Sequence, residues 1–252
     1  MRSPPVRGRI VDLSDCVRIS PVMEMEDPAS RGGTKILLAS NSPRRRELMA
    51  LGEWTFTISV SDVDESQRPG ESPADYVLRL AEDKARAAAS HARPDQVIVA
   101  ADTTVVNGDT LLGKPQDAAE AVAMLKQLRG RVHRVYTGLA VLNKGTGQLV
   151  QDLCVTDVPM RDYSDGEIDR YVQSGDPLDK AGAYAIQHDE FHPVVALNGC
   201  FASVMGLPLC HLLRLFGRIG LAPDDQVPSR CQTYLDYSCP VSHAILRGEQ
   251  VG

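Results

Sequence analysis

Residues 36–51 read Ile36-Leu37-Leu38-Ala39-Ser40-Asn41-Ser42-Pro43-Arg44-Arg45-Arg46-Glu47-Leu48-Met49-Ala50-Leu51, and this stretch decides the fold. The apolar run 36–39 predicts a buried strand, the polar 40–42 a loop, and the remainder a helix through Leu51. Ser42 suits an N-cap. Pro43 suits the first helical position, where a missing N–H costs nothing. The start of such a helix presents unpaired N–H groups and the positive end of the dipole, so it attracts anions. Ser40 and Ser42 add hydroxyl donors, and Arg44 and Arg45 can fork onto phosphate oxygens. At about 100° per residue Arg44 falls on the face of Leu48 and Leu51, which points it inward. Cations in a first turn oppose the dipole at about 0.3–1 kcal/mol each, so a bound anion accounts for them better than solvation does.

Working outward, the same punctuation continues to about residue 218. Ser72-Pro73 opens a second helix to about Ser90, with Asp75 closing a capping box. A buried strand, Val97 to Ala101, ends in Asp102. Asn107-Gly108 reads as a two-residue hairpin turn between Val105-Val106 and Leu111-Leu112. A third helix starts at Asp117, with Glu120 completing its box, and stops at Gly130. Strands over 132–143 and 149–160 flank the Gly-rich turn 144–147. A fourth helix, capped by Ser164 and Glu167, ends near Gly175, and a last one runs from Leu209 to about Arg218. Helices interleaved with buried strands and hairpins predict a mixed α/β domain. The segment 34–221 is that domain. Residues 1–33, with Pro4-Pro5 and Arg31-Gly32-Gly33, predict a flexible N-terminal extension, and 222–252 a flexible C-terminal tail.

Composition narrows the function. The chain has 252 residues, a net charge of −6 and no Lys/Arg tract. That argues against duplex nucleic acid as a partner, and small basic clusters suit a small anionic ligand better. The apolar runs are too short to cross a bilayer and no secretory signal is evident, so a cytoplasmic location without membrane contact is the default. Six cysteines (16, 154, 200, 210, 231, 239) show no C-x-x-C spacing, which argues against a disulfide framework. Cys231, Cys239 and His243 are a weak zinc possibility on irregular spacing.

Three residues inside the domain stand out. Lys84 lies in the middle of the apolar stripe Val77, Leu80, Ala81, Ala88. It either snorkels to the surface or holds an ammonium in a pocket to meet a phosphate. Asp102 ends a strand that is apolar on both faces, and needs a lysine, a divalent metal or both as partner. Gly108-Asp109-Thr110-Leu111-Leu112-Gly113-Lys114 matches the G-x-x-x-x-G-K of a P-loop. Pro115 stands where Ser or Thr is required and Gly108 lies in a hairpin, so a Walker-type ATPase is rejected. Lys114 remains a candidate phosphate contact, and Asp64-Glu65 supplies further carboxylates.

These segments occur in a recognisable order. Leu38-Ala39-Ser40, Ser42-Pro43-Arg44-Arg45, Val63-Asp64-Glu65, Ala81 to Lys84-Ala85, Ala101-Asp102-Thr103, Gly113-Lys114-Pro115, Tyr136-Thr137-Gly138, Asp179-Lys180-Ala181-Gly182-Ala183-Tyr184, Ile186-Gln187 and Gly206-Leu207-Pro208 together resemble the Maf (septum formation) family over residues 35 to about 218. The resemblance implies an elongated mixed sheet flanked by helices, in two lobes with a central cleft, related to inosine triphosphate pyrophosphatase. It implies hydrolysis of a nucleoside triphosphate to monophosphate and pyrophosphate with a divalent metal cation, Mg2+ or Mn2+. Carried over, Arg44, Arg45, Lys84 and Lys114 would hold the triphosphate, and Ser40 and Ser42 would line the phosphate loop. Asp102 would activate water and, with Glu65, bind the metal. A homodimer is compatible by the same analogy.

Arg44, Thr103 and Gln187, together with Asp179 and Lys180, resemble the subtype acting on dTTP, UTP and related pyrimidine nucleotides. A 7-methyl-GTP subtype would tend to carry Trp, Gln and Glu at the first three. Two departures stand out. His188-Asp189-Glu190 replaces Gly-Leu-Gly, adding bulk and charge beside the presumed base site, and Cys200 stands where Ser commonly follows Gly199. The competing readings are a nucleotide-sensing or division-regulating binding module without turnover, and a purine pyrophosphatase of the inosine triphosphate type.

Overall fold

The computed structural model describes residues 34–60, 62–222 and 224–252; the expectation for residues 1–33 lies outside them. The strands are β1 (Lys35–Leu38), β2 (Phe56–Ile58), β3 (Gln96–Asn107), β4 (Thr110–Leu112), β5 (Val132–Asn143) and β6 (Leu149–Pro159). The helices are α1 (Pro43–Ala50), α2 (Pro73–Ala88), α3 (Ala118–Leu128), α4 (Asp165–Gln173), α5 (Phe201–Val204), α6 (Leu209–Arg218), α7 (Val227–Tyr234) and α8 (Ser242–Leu246). The sheet order is β2-β1-β3-β5-β6, with β4 beside β3. β1 pairs in parallel with β2 and β3, while β3/β5, β5/β6 and β3/β4 are antiparallel, so the sheet is mixed.

The strand expected to stop at Ala101 runs on to Asn107, and Asp102 sits mid-strand, opposite Gly138 of β5. An ion pair with Lys84 compensates its charge, so the ladder need not break there. The hairpin turn is Gly108-Asp109, one residue later than expected, because Asn107 still pairs with Thr110. Side chains alternate along β3. Val97, Val99 and Ala101 join one apolar core with β1, α1, α5 and α6, and Val105 joins a second with α3 and α4. On the opposite face Ile98 and Ala100 pack with Ala81, Ala85 and Ala88 of α2. Asp102, Thr103 and Thr104 therefore occupy the span of β3 between the two cores. Gly138 lets α2 lie close across the sheet: a Cβ there would stand 2.5 Å from the Val77 carbonyl oxygen.

The C-terminal residues are not a loose tail. Helices α7 and α8 dock on α6, with Val227 and Ile245 fully buried, each contributing about 1.5–3 kcal/mol over exposure. Val227, Cys231 and Leu235 recur every fourth residue, a helical stripe that Pro228 and many polar neighbours obscure in the sequence. Arg214 of α6 forks onto Asp152 of β6 at 2.7 and 2.8 Å and also donates to the carbonyls of Ile245 and Glu249. Arg230 of α7 donates to the Leu51 carbonyl at 2.7 Å, tying the C-terminal helices to the end of α1. Among the described residues no helix is long and apolar enough to cross a membrane.

Candidate active site

A cleft of about 950 Å³ opens where Asp102, Thr103 and Thr104 interrupt the apolar faces of β3. Ser40, Ser42, Arg44, Arg45, Glu65, Lys84, Asp102, Thr103, Lys114, Asp179, Lys180 and Gln187 all line it. The sequence candidates, far apart along the chain, are thus brought to one place. The lining carries more cations than carboxylates, in a chain of net charge −6. A cleft of opposite sign to the molecule concentrates a polyanionic ligand.

Its floor is a carboxylate–ammonium–carboxylate bridge. Lys84 Nζ lies 2.6 Å from Asp102 Oδ1 and 2.6 Å from Glu65 Oε1. The Lys84 and Asp102 side chains are only 14% and 11% exposed, while Glu65 is 58% exposed, so the ammonium does not snorkel to solvent. Burial pushes the Asp102 carboxyl above its ordinary value, against the pull of Lys84 and Arg45. Burial also pushes Glu65 upward, but the hydrogen bond and charge of Lys84, with Lys114 and Arg45, hold it below its ordinary value. Two carboxyls on one cation are therefore driven apart, with the buried one the stronger base.

The loop 40–42 leads into α1 with the N-cap that its sequence suggests, and Arg45 is drawn further into the cleft than Arg44. Ser42 caps α1, and its N–H donates to Ser40 Oγ at 3.2 Å. Arg45 is the more deeply engaged arginine. Its Nε donates to the Gly206 carbonyl at 2.9 Å and its Nη2 to Thr103 Oγ1 at 3.2 Å. Gly206, at φ +106°, brings its backbone against the guanidinium in a conformation that favours glycine. Thr103 bonds in turn with Thr137, 3.0 Å away, and Thr137 donates to the Ser203 carbonyl at 2.9 Å. Arg44 lies 3.8 Å from Asp179. Lys180 lines the cleft, but its ammonium donates to Asp176 O, Asp176 Oδ1 and Asp179 Oδ1 at 2.5, 2.9 and 2.6 Å, which uses all three protons. Lys114 is exposed and forms no ion pair among the described residues. The Gly108–Lys114 segment is a hairpin and loop, with the Gly113 carbonyl accepting from the Gly182 N–H, and builds no P-loop.

The His188 side chain turns away from the cleft. Its ring meets Tyr171 edge-on at 4.6 Å, and its Nδ1 accepts from the Phe191 N–H at 3.0 Å. The bulk expected beside the base site goes instead into the aromatic packing of Tyr171 and Phe191, which stack at 4.3 Å. The zinc possibility fares differently from its sequence form: Cys231 and Cys239 line a second cavity with Cys200 and Cys210, whereas His243 is exposed and outside it. Tyr76, which lines the cleft, and Arg79, which supports the same loop from outside it, escape the sequence as site residues. Tyr76 donates to the Glu65 carbonyl at 2.8 Å, and Arg79 donates to the Ser66 carbonyl and pairs with Glu71, so α2 staples the loop that carries Glu65. Tyr76 stands eight residues before Lys84 on α2, about 80° round the helix from it, and both line the cleft.

A family model described as Maf-like protein matches residues 35–219. The dTTP/UTP pyrophosphatase of Myxococcus xanthus is 48% identical over 188 residues, covering 75% of this chain and 94% of that protein. The dTTP/UTP pyrophosphatases of Geobacter sulfurreducens and Dehalococcoides mccartyi are 45% and 39% identical, over 74% and 79% of this chain and 97% and 89% of theirs. Among solved structures, a nucleoside-triphosphatase/dITP/XTP pyrophosphatase from Mycobacterium abscessus is similar at a TM-score of 0.37 and 16% identity, over 74% of this chain and 94% of that one.

Proposed function

The chain belongs to the Maf family, and from that premise we propose that it hydrolyses a pyrimidine nucleoside triphosphate, dTTP or UTP, to the monophosphate and pyrophosphate. The observation that carries this reading is the Glu65–Lys84–Asp102 bridge on the floor of a cationic cleft. Asp102, raised by burial, takes the proton of a water that attacks the α-phosphorus. Lys84, Arg45 and Lys114 balance the charge that gathers on the departing pyrophosphate. Ser40, Ser42 and the N–H groups opening α1 orient the triphosphate. Thr103 acts by holding Arg45, and Lys180 by holding Asp179, so both position other groups. Gln187, exposed at the cleft, can both donate to and accept from a pyrimidine edge.

Asp102 and Glu65 fit a divalent metal in one specific sense. They are hard oxygen donors converging on one point, already occupied by an ammonium. Among the described residues no third carboxylate, His or Cys joins them as a cage. Mg2+ is commonly held by one or two carboxylates together with substrate phosphates, and this pair suits that pattern. A divalent cation held there with the nucleotide would neutralise charge on the phosphate oxygens.

Initial rates of pyrophosphate release from dTTP, UTP, ITP and 7-methyl-GTP with Mg2+ or Mn2+ test the substrate assignment. The expected result is a kcat/KM for UTP or dTTP at least about tenfold above ITP, since a site hydrogen-bonded to one base edge rejects another. Equal or faster turnover of ITP would reassign the chain to purine nucleotides.

A further inference from the structure

The turn that carries Gln187 is gripped by a residue outside the cleft. The His188 N–H donates to the Ala185 carbonyl at 3.3 Å, which closes a turn with Ile186 and Gln187 at its tip. Ile186 packs against both apolar cores, whereas Gln187 is exposed. Tyr171 of α4, buried beneath them, meets both ends of this turn. Its hydroxyl accepts from the Ala185 N–H at 2.9 Å, and its ring meets that of His188 edge-on at 4.6 Å. The same hydroxyl donates to Asp176 Oδ2 at 2.7 Å. Neither Tyr171 nor Asp176 lines the cleft, and the hydrolytic chemistry uses neither.

We propose that Tyr171, oriented by Asp176, is a positioning residue that fixes Gln187 against the base and so sets the preference for a pyrimidine. This rests on the proposed hydrolysis of UTP or dTTP, and it adds a residue that discriminates between bases. The clamp is directional. A phenol has a single proton to give, and a carboxylate can only accept. Asp176 therefore takes that proton and turns an oxygen lone pair toward the Ala185 N–H. Lys180 Nζ, 2.9 Å from Asp176 Oδ1, holds the carboxylate in place from the other side. Burial pushes the Asp176 carboxyl up, but the hydrogen bonds of Tyr171 and Lys180, with the Lys180 charge, hold it below its ordinary value. It stays an acceptor at neutral pH. The flanks of the turn are tied as well. Tyr184 shares a 2.8 Å hydrogen bond with buried His133, and the Phe191 carbonyl accepts from Arg161 at 2.7 Å.

The clamp acts on the base side of the cleft alone. Arg45 is held by Gly206 and Thr103, and Lys84 by Asp102 and Glu65, through contacts that Tyr171 does not share. Removing the hydroxyl releases the Ala185 N–H and lets the turn move while those contacts stay. A triphosphate without a base is then bound as before. A nucleotide whose base Gln187 reads loses about tenfold, the worth of one hydrogen bond.

Tyr171→Phe tests this, because it keeps the ring, its stack on Phe191 and its contact with His188, and removes only the hydroxyl. The expected result is a KM for UTP raised about tenfold with kcat near the parent's. The KM for ITP and the inhibition constant of inorganic tripolyphosphate should not move. His188→Ala leaves the hydroxyl and Asp176 in place and removes the ring at the other end of the turn. It should lower the UTP-over-ITP preference by about threefold. Equal losses on UTP, ITP and tripolyphosphate would mean a general loosening and overturn the proposal, as would a parent-like preference in Tyr171→Phe. If the parent turns over no UTP, or prefers ITP, the pyrimidine hydrolysis reading fails by itself. Amide hydrogen exchange over residues 184–192 then decides the clamp: faster exchange in Tyr171→Phe supports it, and exchange equal to the parent's overturns it.

Discussion

Replacing Asp102 with asparagine is expected to lower pyrophosphate release by about 10²–10⁴-fold, the usual contribution of a general base. The substitution keeps the shape of the side chain and its place opposite Gly138 on β3, so the sheet has no reason to change. It removes the one carboxylate that is both buried and in contact with Lys84. The amide oxygen can still accept from the Lys84 ammonium, but it cannot take a proton from water at neutral pH. Nucleotide binding should survive or tighten, because a negative charge is removed from a site meant for a polyanion. Calorimetric UTP affinity at or above that of the parent, with turnover nearly abolished, is the expected pairing. Full turnover in Asp102→Asn would place the base elsewhere.

Lys84→Met is expected to lower kcat/KM by about 10²–10³-fold, comparable to removing one preorganised donor from a reacting oxyanion. Methionine keeps an unbranched apolar stem among Leu80, Ala81 and Ala88, so packing of α2 is largely retained. The missing ammonium leaves Asp102 and Glu65 facing each other without the cation that stands 2.6 Å from each. Two uncompensated carboxylates repel each other and the incoming triphosphate alike. The loss should therefore appear in both KM and kcat, and the melting temperature should fall because a partly buried pair is broken. Kinetics measured well below that melting temperature check it. Parent-like kcat/KM in Lys84→Met would show that the bridge is structural only.

The Lys84–Asp102 pairing is legible in the sequence, and the reasons are physical. A lysine inside an apolar helical stripe demands a buried partner, and a buried aspartate demands a cation; the two demands meet in Lys84 and Asp102. The N-cap serine and the proline after it mark the start of α1, and with it the loop 40–42 that leads into the helix. What the sequence concealed depended on long-range pairing. Asp102 reads as a strand end in the sequence, because the partner that lets β3 continue lies 18 positions away in the chain. The roles of Lys180 and Thr103 as holders of Asp179 and Arg45 required knowing which protons were already engaged. The docked helices α7 and α8 followed a short apolar stripe whose receiving surface on α6 could not be seen locally. His188 illustrates the converse: a bulky residue next to Gln187 in sequence faces the opposite way in space.

Hydrolysis of UTP in water enriched with oxygen-18 tests the central claim, that water attacks the α-phosphorus. Label is expected in UMP and none in pyrophosphate. Label in pyrophosphate, or products UDP and inorganic phosphate, would contradict it.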